Sequence, residues 1–161
     1  MEFQPAEFAE VPYGTIARAP CSPRVTDPRF QGIVIRVPDE VRAAQGEKIR
    51  LPICGYYQLP TGPLVMGADI HIHVRALGPN PLPPLTGKVV TDMGENEPEA
   101  PDPFARVPVD PGLYKGQVSE SYFHYDAQRY LPHALPPGTY EVCVSYGRDQ
   151  SNVARVTITR R

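Results

Sequence analysis

Leu135-Pro136-Pro137-Gly138-Thr139-Tyr140-Glu141-Val142-Cys143-Val144-Ser145-Tyr146-Gly147-Arg148-Asp149-Gln150-Ser151-Asn152-Val153-Ala154-Arg155-Val156-Thr157-Ile158-Thr159-Arg160-Arg161 is the stretch that decides the fold. Two prolines fix φ and remove backbone donors, and Gly138 allows a left-handed entry, so the segment starts a strand here. From Tyr140 the chain alternates. Tyr140, Val142, Val144 and Tyr146 share one face, and Glu141, Cys143 and Ser145 share the other. Gly147 to Gln150 supplies turn chemistry. Ala154, Val156 and Ile158 then alternate with Arg155, Thr157 and Thr159, so the stretch reads as a β-hairpin.

Working back, Ala68 to Leu77 holds the strongest alternation in the chain. Ile70, Ile72 and Val74 oppose Asp69, His71, His73 and Arg75. Gly32 to Pro38 reads as the first strand, and Lys48 to Ile53 as the second with Ile49, Leu51 and Ile53 inward. Pro52 is awkward inside a ladder, and Cys54 falls off the core face. Asp39 to Glu47 has room for one helical turn, with Gln45-Gly46-Glu47 as the turn before the second strand, and Pro60 to Gly67 reads as a loop. Thr86 to Met93 and Leu113 to Tyr125 are further strands, and Ala127 to His133 a single helical turn. The result is an all-β, antiparallel sandwich of about seven strands.

The 161 residues fit one domain, able to bury roughly 70% of its unfolded surface. Twenty-one prolines and 13 glycines exclude a helical protein and suit short strands joined by rigid turns. Residues 1–30 carry five prolines and no periodicity, so they are expected as an irregular arm, with the sandwich at 31–161. Gly94 to Asp110 is expected as a long acidic, proline-rich excursion. Its acidic residues (Glu95, Glu97, Glu99, Asp102, with Asp92 nearby) lack the spacing of a calcium-binding loop.

The terminal segment resembles the last two strands of immunoglobulin-like and fibronectin-III-like sandwiches. That resemblance covers about 25 residues, implies a fold, and carries no active site. In the immunoglobulin pattern a tyrosine precedes the second bridging cysteine by two residues. Here the cysteine's position is taken by Val142, and Cys143 lies on the opposite face, so a Cys54–Cys143 bridge is not expected.

Charge and motifs bound the function. Sixteen basic against 18 acidic residues leave −2, which argues against a nucleic-acid partner. No apolar run approaches a membrane span. The acidic first residues lack the features of a secretory signal, so a cytoplasmic setting is expected, with Cys21, Cys54 and Cys143 as free thiols. There is no Gly-x-Ser-x-Gly, no Gly-x-Gly-x-x-Gly and no Walker motif. The reading is therefore a non-enzymatic interaction or structural module without a cofactor, whose partner is another protein or a second copy.

Four residues are candidate contacts: the adjacent Tyr56 and Tyr57, one of which must face outward, and the His71–His73 pair. An i, i+2 histidine pair on a strand shares a face, roughly 7 Å apart, and can ligate zinc or copper if further ligands converge. Asp69, His124 and His133 are the available candidates for that. A metal-binding domain is thus the second reading, and a small-ligand or carbohydrate-binding module the third.

Overall fold

Proline and glycine set where the strands start and stop. A computed structural model describes residues 6–65, 68–78, 83–89 and 116–160. Nine strands are present among them: β1 (Gly32–Arg36), β2 (Glu40–Ala43), β3 (Pro52–Pro60), β4 (Ile70–Leu77), β5 (Leu85–Lys88), β6 (Val118–Asp126), β7 (Gly138–Tyr146), β8 (Asp149–Gln150) and β9 (Ala154–Arg160). Two short helices, α1 (Thr61–Val65) and α2 (Ala127–Tyr130), join them. The strands form two sheets, ordered β1-β3-β6 and β2-β9-β7-β4-β5, with β8 paired to β7. This is the expected all-β sandwich.

Pro52 is the first residue of β3, a position at which the missing donor is tolerated. Ile49 and Leu51 precede the strand yet are buried as the alternation predicts. Within Asp39 to Glu47 the expected turn forms at Gln45-Gly46, with Glu47 N donating to Ala44 O at 3.1 Å, but the expected helical turn is a strand. Val41 and Ala43 point inward while Arg42 points out, so β2 forms and runs parallel to β9 from Glu40↔Thr157 to Ala43↔Arg160. All other paired strands are antiparallel. Pro60 to Gly67 likewise contains α1 rather than loop alone. The acidic excursion Gly94 to Asp110 lies outside the described residues.

The terminal hairpin turns sooner than its sequence suggests. Tyr146 pairs with Asp149 across Gly147-Arg148, with Gly147 at φ 60°, so Asp149 and Gln150 already run back along β7. β9 then pairs with β7 from Gly138↔Ile158 to Val142↔Ala154. Between them, Asn152 bridges the sheets. Ile35 N donates to Asn152 Oδ1 at 2.8 Å, and Asn152 Nδ2 donates to Ile35 O at 3.2 Å. One side-chain amide thus replaces a ladder partner for β1.

The core is built from the inward rows of both sheets: Ile33, Ile35, Ile53, Leu59 and Phe123 face Ile72, Val74, Tyr140, Val142, Val144, Val156 and Ile158. Gly55 is opposite Phe123 in register, and a Cβ there would lie 2.0 Å from the Phe123 ring. The ring fills the space that the glycine leaves. Asp126 caps α2 by accepting from Gln128 N, and also accepts from Leu51 N at 2.9 Å.

The outer face of the three-stranded sheet is covered by residues 6–30. Phe8, Cys21 and Cys54 form a second apolar cluster with Val11 and Ala19. Cys21 and Cys54 are joined by a disulfide across 33 residues. This corrects the expectation of free thiols; only Cys143 is free. Alternation correctly sends Cys54 away from the inter-sheet core, but that side is not solvent. Arg36 reinforces the arm by donating to Cys21 O and pairing with Glu7, over the Phe8 ring.

Candidate binding face and the buried arm contact

Strands β4, β5 and β7 lie side by side, so their outward side chains make one continuous surface. His73 is directly opposite Thr86 on β5 and Cys143 on β7; His71 is opposite Lys88 and Ser145. His73 Nδ1 is 3.2 Å from Thr86 Oγ1, and Nε2 is 2.8 Å from Ser145 Oγ. The rings of His71 and His73 stack at 6.2 Å. Burial, and then the neighbouring His71, hold His73 below its ordinary pKa, so the neutral ring is favoured. Burial alone pushes the Cys143 thiol up, away from the reactive thiolate.

Charged pairs frame the histidines. Glu141 is shared between Arg75 and Arg155, and Lys88 pairs with Asp69 at 3.5 Å. The cations are exposed and Glu141 is only half-buried, so each pair is worth at most about 1 kcal/mol and serves orientation more than stability. Beside His73 the face dips into a groove of about 270 Å³, lined in part by Pro84, Leu85, Thr86, Cys143 and Val153. Val153 is 62% exposed, an apolar side chain left in water at the groove's edge.

The proposed additional metal ligands do not converge on the histidine pair. Asp69 is engaged by Lys88. His133 is exposed and follows α2, with Nδ1 3.4 Å from Ala134 O. His124 sits in the other sheet, fully buried under the arm. Both ring nitrogens of His73 are already engaged by hydroxyls. Among the described residues, the group of three His, Cys, Asp or Glu side chains with converging ligand atoms is Cys21, Cys54 and His124.

The two tyrosines part as adjacent strand residues must. Tyr57 points into the sandwich, edge-on to Tyr146 at 5.2 Å. Tyr56 points out but is only 9% exposed, between Phe30 of the arm and Tyr122. Its hydroxyl donates to Glu120 at 2.6 Å. Burial first, and then that carboxylate, push its pKa up to about 12. Tyr122, opposite Tyr56 in register, shares this outer side.

Sequence reasoning found the His71–His73 face from alternation alone. It missed the Cys21–Cys54–His124 cluster, because the three residues have no compact spacing and Cys54 meets His124 only through strand register. No protein-family model matches the chain, and no curated protein is significantly similar to it. Among the described residues no helix is long and apolar enough to cross a membrane.

Proposed function

We infer that the chain is a non-enzymatic, immunoglobulin-like module that binds another protein through the outer face of β4, β5 and β7. The strand order supports the fold assignment. β1-β3-β6 follows the A-B-E succession of immunoglobulin domains, and β9-β7-β4-β5 follows G-F-C-C′. Tyr140 supports it too: its hydroxyl donates to Pro136 O just upstream, the arrangement of a tyrosine corner.

The observation that carries the binding reading is the exposed Val153 beside the groove at His73, within a rim of paired charges. An apolar anchor inside a polar rim is the anatomy of a protein interface. Small-molecule sites usually measure about 300–1,000 Å³. At about 270 Å³ the groove beside His73 lies at the lower end of that range and has room for an inserted side chain. A small ligand in the same groove is the second reading.

Native mass spectrometry of the protein, gently purified from its source, tests this. The expected result is a heteromeric mass. A bare monomer would overturn it, and a mass increment from a bound small molecule would promote the second reading.

A further inference from the structure

The disulfide and His124 share one buried compartment. Cys21, Cys54 and His124 all have no exposed surface, and their ligand atoms lie within 4.8 Å of one another. They come from three separate parts of the chain: the arm, β3 and β6. Cys54 and His124 are direct cross-strand partners, and Cys21 closes over them from the arm.

Hydrogen bonding sets the tautomer of the histidine. Its Nδ1 is 3.0 Å from Thr15 O. A carbonyl oxygen only accepts, so Nδ1 carries the hydrogen and the lone pair of the neutral ring rests on Nε2. A metal-ligating histidine almost always donates its other N–H in this way, to a backbone carbonyl or carboxylate. The contact is anchored by a second link between the same segments, in which Gly14 N donates to His124 O at 2.9 Å. Ser22 Oγ, itself buried, lies 3.4 Å from Nε2.

We propose that Cys21, Cys54 and His124 form a zinc site when the disulfide is reduced, so that the arm is clasped by a sulfur–sulfur bond in one redox state and by a metal ion in the other. The steps balance with a dithiol reductant. Two electrons and two protons pass from the dithiol to the Cys21–Cys54 bond, giving two protein thiols and an oxidised reductant. Zn²⁺ then displaces the two thiol protons and accepts the Nε2 lone pair. Two thiolates and Zn²⁺ sum to zero charge, which answers the cost of placing ionised sulfur in a compartment lined by Phe8, Val11 and Ala19. Sulfur and imidazole donors in this number suit zinc. The fourth position falls to water or to the Ser22 hydroxyl.

The test is zinc titration of the full chain against a chromophoric chelator, after metal stripping, in the oxidised form and again after phosphine reduction. Reduced protein is expected to take up one equivalent of zinc at this site, and oxidised protein none. Those two forms have the same sequence, so this comparison does not depend on any variant folding. Cys21→Ser and His124→Asn should each weaken binding by about tenfold or more. Cobalt in place of zinc should show thiolate charge-transfer absorption that Cys21→Ser diminishes. The double change His71→Ala with His73→Ala should leave the stoichiometry intact. Reduced wild-type protein that binds no zinc would overturn the proposal. So would zinc uptake that is the same in both redox states, or that is lost with His71 and His73 instead.

Discussion

Cys54 and His124 are paired directly across β3 and β6, and Cys21 reaches both from an arm that has no strand among its described residues. The covered side of the small sheet is therefore a second core, tied to the first by the sheet itself. The β4, β5 and β7 face is the opposite outer surface of the sandwich. One side of the sandwich holds the arm, and the other presents the His71–His73 face.

The disulfide closes a loop across 33 residues. In the chain-entropy account a loop of that size contributes roughly 3–4 kcal/mol. Reduction in the presence of a metal chelator, followed by urea unfolding, should show a loss of that order. Trypsin should then cut at Arg24 and Arg29 faster than in oxidised protein. An unchanged midpoint and cleavage rate would mean the arm is held by its other contacts alone.

Gly55 has no room for a side chain. Gly55→Ala places a methyl group inside the Phe123 ring's volume, and overpacking of this kind costs about 1–3 kcal/mol. A double-mutant cycle with Phe123→Leu should recover part of that loss. Strict additivity of the two changes would contradict the packing described.

Asn152 should matter more than its exposed position suggests. Asn152→Ala removes both partners of the Ile35 backbone, which belongs to a residue 2% exposed. Leaving such groups unpaired costs about 1–3 kcal/mol. Asn152→Asp keeps the acceptor for Ile35 N but loses the donor to Ile35 O, and thermal unfolding should place it between the wild type and the alanine variant.

Two phenols, the buried Tyr56 and the half-buried Tyr125, give the molecule an alkaline limit. Tyr56 and Tyr125 are each raised from 10.0 to about 12, Tyr56 by burial and then Glu120, Tyr125 by burial and then the neighbouring tyrosines. The folded state keeps protons that the unfolded chain releases near pH 10. Their stabilisation is thus complete below pH 10 and is lost as pH rises towards 12. Alkaline unfolding followed by circular dichroism should show this fall, and Tyr56→Phe should make it shallower. His73 acts at the other end. Its lowered pKa means the unfolded chain takes up a proton first, so stability falls as pH drops below the ordinary value of 6.5. His73→Gln should flatten that slope.

Much of this was legible because strand alternation reports one buried face. Ile72 and Val74, Tyr140 to Val144, and Val156 with Ile158 all read correctly, and so did the polar row of His71 and His73. Alternation cannot say what covers the other face. Cys54 was therefore legible as an outward residue, and so was one ring of the Tyr56-Tyr57 pair without saying which, but the arm above them was not. β2 was hidden for a related reason: four residues holding two inward positions are too few to separate from a turn, and their partner is the chain's last strand, more than a hundred residues away. The Asn152 bridge depends on one amide meeting one backbone edge, which no periodicity encodes.

The most direct test of the binding face compares native masses of wild-type and altered protein purified from the same source. Arg75→Glu combined with Val153→Asp changes the rim and the anchor beside the groove, while Arg24→Glu changes an exposed arm residue on the other side of the sandwich. A heteromeric complex is expected for the wild type and for Arg24→Glu, weakened at least about tenfold in the double variant, as when an interface anchor is lost. A complex indifferent to the double variant, or broken by Arg24→Glu, would contradict it.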